Sequence, residues 1–167
     1  MKNLTLMRHA KSSWKDPGLK DFDRPLKKRG RENAPVMARR LTRRHSLPQL
    51  ILSSPAVRAR QTSERVIPEL GGSVQSVIYE PLLYQRDVDT LLNVIRKIDD
   101  RFSDVLLIGH NPELTALANF LASQEINEIV TCGLVSLRLP VESWQHIQAH
   151  SGTVLFEDSP KGPDKMK

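Results

Sequence analysis

Two histidines and two arginines stand at turns that follow three separate apolar runs: Arg8-His9 after residues 3–7, Arg58 after Ser53-Ser54-Pro55-Ala56-Val57, and His110 directly after Gly109. Imidazole accepts a phosphoryl group as a nucleophile, and guanidinium forks match the oxygens that carry its charge, so the four side chains together describe a site for phosphoryl transfer. The attacking nitrogen must be unprotonated, and neighbouring cations lower an imidazole pKa. Arg8 and Arg58 are therefore suited both to keep His9 neutral and to meet charge that spreads over the phosphoryl oxygens. His110, if protonated when phosphate is bound, adds a further charge-assisted donor. The arrangement requires no metal and no cofactor.

These groups meet only if the elements before them are neighbouring strands of one sheet, because ligands of open α/β sheets bind beyond the carboxyl ends of the strands. Residues 3–7, 49–52, 74–79 and 104–108 read as strands. Apolar residues at helical period predict helices over 31–44, from about 55 to 70, over 87–101 and over 111–123. Gly30 marks the end of the first loop, and residues 45–48 close the helix that follows. Ser53-Ser54-Pro55 offers a cap and a first-turn proline, and Gly71-Gly72 a stop. Residues 133–139 and 144–149 alternate like strands, and 154–156 allow one more. The alternation of strand and helix predicts an α/β fold of three layers, with a mainly parallel central sheet flanked by helices. A single domain is expected over residues 1–157, with a mobile tail over 158–167.

Composition narrows the classes of partner. The 167 residues carry 25 Lys and Arg against 19 Asp and Glu, a formal charge of +6, so anions are favoured. Much of the excess lies in Lys27-Lys28-Arg29, Arg31, Arg39-Arg40 and Arg43-Arg44, at helical spacing that suits a solvated outer face. With 5% aromatic residues and no reader motif, a non-enzymatic basic module that binds nucleic acid is weakly supported. A lone cysteine, Cys132, excludes an intrachain disulfide and fits a cytoplasmic protein. The apolar start breaks at Arg8, too early for a signal peptide or a membrane span.

Leu6-Met7-Arg8-His9-Ala10-Lys11-Ser12-Ser13-Trp14, Ser54-Pro55-Ala56-Val57-Arg58-Ala59-Arg60-Gln61-Thr62 and Gly109-His110-Asn111-Pro112 resemble the histidine phosphatase superfamily, whose fold is phosphoglycerate mutase-like. Together with Asp21-Phe22-Asp23-Arg24-Pro25-Leu26-Lys27-Lys28-Arg29-Gly30 they are most similar to its short branch, the phosphohistidine phosphatase SixA group. The likeness extends from the start of the chain to about residue 139. It implies that His9 is phosphorylated, that Arg8, Arg58 and His110 form the phosphate pocket, that Arg24 lies near it, and that water then releases inorganic phosphate from His9. The implied substrate is a phosphohistidine-bearing protein, with a small phosphorylated molecule as the alternative within the same superfamily.

One departure is informative. Mutase-like relatives place a glutamate proton donor in an insertion after the third strand, where this chain has only Tyr79-Glu80-Pro81-Leu82-Leu83-Tyr84-Gln85-Arg86-Asp87. Glu80 is the nearest candidate donor. An alcohol leaving group needs such an acid more than a phosphorylated imidazole does, which favours phosphoramidate substrates and an open pocket. Two further patterns are decoys. Cys132 and Arg138 have the spacing of cysteine-dependent phosphatases, but the segment alternates as a strand and would hold them about 20 Å apart at ~3.3 Å per residue. His146 and His150 have a helical metal-ligand spacing in a segment that reads as a strand, without accompanying ligands.

Overall fold

In strands β1 (Lys2–Arg8) and β4 (Asp104–Gly109) most side chains are buried whichever face they point to, as strands in the middle of a parallel sheet require. The computed structural model describes residues 1–44 and 47–163, so His45 and Ser46 of the expected helix closure lie outside the described residues, as does 164–167 of the expected tail. Among the described residues six strands form one sheet. The others are β2 (Leu50–Ser53), β3 (Ser76–Tyr79), β5 (Leu134–Leu139) and β6 (Thr153–Asp158), in the order β3-β2-β4-β1-β5-β6. The first four in that order run parallel, whereas β5 and β6 are antiparallel to their neighbours.

Helices α1 (Lys28–Arg43) and α2 (Val57–Val66) cover one face and α3 (Val88–Arg96) and α4 (Glu113–Leu121) the other. The pleat of the strands divides the core accordingly. Leu4, Leu6, Leu52, Val105 and Leu107 meet Leu91, Leu92, Ile95, Leu117 and Leu121, while Met7, Ile51, Leu106 and Ile108 meet Met37, Leu41 and Ala59. Each such Leu or Ile, buried on folding, contributes about 1.5–3 kcal/mol of transfer free energy. The three-layer α/β/α architecture expected from the alternation is thus present.

Several boundaries differ, each for a local reason. Gly30 lies inside α1, not at a loop boundary. A Cβ there would fall within van der Waals contact of the Lys11 carbonyl, so glycine lets the helix press against the loop after β1. Residues 144–149 are not a strand. Ser143 accepts a hydrogen bond from Gln145 N to start a 3-10 turn at Trp144–His146, and the fully buried indole of Trp144 donates from Nε1 to Phe102 O at 2.8 Å.

The expected tail also begins differently. Asp158 ends β6, and its carboxylate pairs with Arg40 Nη1 at 2.9 Å and Arg44 Nη2 at 3.5 Å. Arg40 and Arg44 are consequently not part of a solvated helix face. Arg40 also donates to Ser159 O.

Candidate active site

The register of the central strands brings the four expected residues together. Arg8 pairs with Gly109 across β1 and β4, and Ser53 with Ile108 across β2 and β4, so the three strands end side by side. The ladder extends one residue further on each side, with His9 N donating to Gly109 O at 3.0 Å and Ser54 N to Ile108 O at 3.0 Å. His9 and His110 therefore face each other with ring centroids 5.1 Å apart, and Arg58, in the first turn of α2, reaches across to them.

His9 is held in one tautomer. Its Nδ1 lies 2.7 Å from the Ala10 carbonyl, which can only accept, so Nδ1 carries the proton and Nε2 keeps its lone pair. Arg58 Nε points toward that lone pair at 3.4 Å. Burial pushes the His9 pKa down to about 3, with His110, Arg58 and Arg8 adding to the effect against the Ala10 hydrogen bond. Desolvation is thus the largest single cause of an effect that the sequence suggested for the arginines.

His110 is set by Ser54. Ser54 Oγ accepts from Ala56 N at 3.2 Å and lies 2.8 Å from His110 Nε2. Burial, then Arg58 and Arg8, lowers the His110 pKa to about 4, opposed by Asp21. His110 Nδ1 and Arg8 Nε are both buried without a hydrogen-bond partner among the described residues, although Arg8 Nη1 donates to Ile129 O at 3.1 Å. A buried donor such as Arg8 Nε, left unpaired, costs about 1–3 kcal/mol, and a bound anion would remove that cost.

Arg24 and Glu80 have other neighbours. All three nitrogens of Arg24 donate within the protein: Nε to Ser13 O, Nη1 to Asp21 Oδ1 and Nη2 to Ser12 Oγ, while the guanidinium stacks 3.3 Å over the Trp14 ring. Glu80 Oε1 accepts from Leu82 N at 3.0 Å and caps the 3-10 turn Pro81–Leu83. Asn111 supports the start of α4, its Oδ1 accepting from Thr115 N and Oγ1, while its Nδ2 donates to Ile129 O.

Two pocket residues had no expected role. Asp21 sits in the 3-10 turn Asp21–Asp23. Its Oδ2 accepts from Arg58 Nη2 at 3.0 Å and from Tyr84 OH at 2.7 Å, and its backbone carbonyl accepts from Arg58 Nη1 at 2.7 Å. Tyr84 packs edge-on against His110 and Phe22. The spacing of Asp21 three residues before Arg24 was the available signal; nothing local distinguishes Tyr84.

The decoys separate as their local structure requires. Cys132 is buried, with its thiol pushed up to about 12 by desolvation, and Arg138 is exposed on β5. His146 belongs to the 3-10 turn, while His150, with a positive φ of 56°, approaches Ala122 O. No cluster of three or more His, Cys, Asp or Glu side chains suited to a metal forms among the described residues. No helix among them is long and apolar enough to cross a membrane.

Comparison with known proteins agrees with this geometry. The profile of the histidine phosphatase superfamily (branch 1) matches residues 4–104. An uncharacterized chloroplastic protein of Arabidopsis thaliana is 35% identical over 159 residues, covering 90% of this chain and 72% of the relative. Among solved structures, a SixA structure from Agrobacterium tumefaciens superposes with a TM-score of 0.81 at 28% identity, covering 95% of this chain and 98% of the other. The protein histidine phosphatase SixA complexed with tungstate gives 0.80 at 26% identity, covering 95% and 97%. From the sheet order, the pairing of His9 with His110 across adjacent strand ends, and these likenesses, the chain belongs to the histidine phosphatase superfamily and is a phosphatase acting on a phosphorylated substrate.

Proposed function

We propose that the protein removes phosphate from phosphohistidine on another protein through a covalent phospho-His9 intermediate, without a metal. The observation that carries this reading is the fixed tautomer of His9. With Nδ1–H bound to Ala10 O, the Nε2 lone pair attacks phosphorus, the substrate P–N bond breaks, and its electron pair returns to the leaving imidazole. Arg58 Nε points at the same nitrogen, and Arg8 Nε and His110 Nδ1, buried and without a partner among the described residues, are the further groups that would meet the charge on the phosphoryl oxygens. Water then cleaves phospho-His9 and inorganic phosphate leaves. Arg24, engaged at every nitrogen, serves in this reading to hold Asp21 and Trp14 in place.

A protein substrate is favoured by what adjoins the pocket. A groove of about 1000 Å³ runs between the loop after β1 and the start of α1, lined by Lys11, Lys15, Lys27, Lys28, Arg29 and Arg31, with Glu32 the one acid among its described lining residues. Trp14, 75% exposed, lies in this groove and links it through Arg24 and Asp21 to Arg58. Such a surface suits an acidic protein face that presents a phosphorylated side chain. A lone buried cysteine suits a cytoplasmic setting.

Trapping with labelled phosphohistidine peptide should give an acid-labile, base-stable adduct that is absent in His9→Ala, and turnover should persist in chelator. Activity that survives His9→Ala would overturn the nucleophile assignment. Rates dominated by a phosphomonoester over phosphohistidine would move the substrate to a small molecule.

A further inference from the structure

The Arg58 side chain is 8% exposed, and its guanidinium is fixed by the groups that accept from its nitrogens. One residue takes both terminal nitrogens. Asp21 accepts from Nη1 through its backbone carbonyl at 2.7 Å and from Nη2 through Oδ2 at 3.0 Å, which leaves Nε as the nitrogen facing His9 Nε2. Two acceptors on one residue set the plane of the fork as well as its direction.

Asp21 is itself anchored. Oδ1 accepts from Arg24 Nη1 at 3.1 Å, and Oδ2 accepts also from Tyr84 OH at 2.7 Å, so each carboxylate oxygen is in use. Arg24 in turn is tied to Ser12 and Ser13 in the loop after β1, while Tyr84 packs on Phe22 and His110. Burial raises the Asp21 pKa, but Tyr84, Arg58 and Arg24 outweigh it and hold the carboxylate below its ordinary range, so it remains an acceptor at neutral pH.

We propose that Asp21 is the positioning residue of this site, holding Arg58 so that Nε faces the nitrogen that exchanges the phosphoryl group. The inference rests on the phosphatase reading above. In this role Asp21 acts through Arg58 alone, without contact to the reacting atoms. The same guanidinium would meet the phosphoryl oxygens while the P–Nε2 bond forms and again while water breaks it, so both half-reactions draw on its placement.

Rapid-quench single turnovers with a labelled phosphohistidine peptide give the two rate constants separately. In Asp21→Ala, which leaves only the carbonyl on Nη1, both should fall by the same factor, about 10²-fold for a group displaced at the reacting centre. KM should stay near the wild-type value, because equal slowing of formation and breakdown of phospho-His9 leaves it unchanged. Asp21→Asn keeps an acceptor for Nη2 and should recover part of the loss. In an Arg58→Ala background, Asp21→Ala should add no further loss, since no guanidinium is left to position.

Wild-type rate constants in Asp21→Ala overturn the proposal. Slowing of one half-reaction alone does so too, as do losses that multiply in the Arg58→Ala background, since each would give Asp21 a task other than holding Arg58. A Tyr84→Phe loss as large as that of Asp21→Ala would place the effect in the contact between the two loops and equally defeat it. A lower KM with unchanged rate constants would make Asp21 a competitor for Arg58 instead. If wild type takes no phosphoryl group on His9, the phosphatase reading itself fails; a wild-type adduct with an unaffected Asp21→Ala fails the positioning role alone.

Discussion

Arg58 Nε lies 3.4 Å from His9 Nε2, so the group that would grip the phosphoryl oxygens already points at the nitrogen that would receive them. The remaining nitrogens of the same fork are held by the Asp21 carboxylate and carbonyl. Arg58→Lys keeps the charge but loses this edge. We expect kcat/KM to fall about 10²-fold, as for loss of one preorganised donor, measured with phosphohistidine peptide in steady state.

Ser54 orients the second imidazole. Ser54→Ala removes the partner of His110 Nε2 and with it the hydrogen bond that holds the ring. The expected effect is a fall in kcat/KM of about tenfold, or ~1.4 kcal/mol, with the loss of that hydrogen bond visible in nitrogen NMR of the His110 ring.

Stability should depend on pH through both buried histidines. Their folded pKa values, about 3 for His9 and about 4 for His110, lie below the ordinary value of 6.5. Between those limits the unfolded chain binds more protons than the folded one, so this contribution is complete above pH 6.5 and is lost as pH falls toward 3–4. Denaturant unfolding should show a loss approaching about 1.4 kcal/mol per pH unit for each histidine. The slope should flatten in His9→Asn and His110→Asn; a pH-independent stability from about 4 to 6.5 would contradict the burial of these rings.

The groove makes a separable prediction about substrate size. Lys27→Glu with Lys28→Glu should lower kcat/KM about tenfold for a phosphohistidine peptide flanked by Asp and Glu, and the salt dependence of that rate should weaken. Turnover of a small phosphoramidate should stay within about twofold of wild type, by the usual scale of remote surface changes. Equal losses on both substrates would remove the groove from substrate recognition.

At the edge of the sheet, Arg40→Ala strands the Asp158 carboxylate, whose side chain is 4% exposed. Breaking a buried pair in this way costs about 3–5 kcal/mol, lessened here by Arg44. Thermal or denaturant melting of Arg40→Ala and of the double variant Arg40→Ala, Asp158→Ala should show the second recovering much of the loss.

How much of this was legible follows from the range of the interactions involved. The convergence of Arg8, His9, Arg58 and His110 could be read because each sits close beyond an apolar strand, and parallel strands end on the same side. The tautomer of His9 depends on the very next residue, and Gly30 betrayed a tight contact without saying with what. Longer-range effects were invisible. Trp144 alternates with its neighbours as a strand residue does, yet its indole is drawn into a turn by a carbonyl 42 positions away. Arg40 reads as one of many helix-face cations until β6 delivers Asp158 beside it. Asp21 and Tyr84 acquire meaning only when two connections of the chain meet.

That meeting divides the molecule by tolerance to change. The floor beneath the substrate is made of strand ends locked on both sides, whereas Asp21 and Tyr84 belong to separate crossover segments clasped by a phenol-carboxylate hydrogen bond and by the Phe22–Tyr84 ring contact. Repertoire can therefore be altered by swapping those two segments as a matched set, leaving the floor untouched, while exchanging either alone would break the clasp.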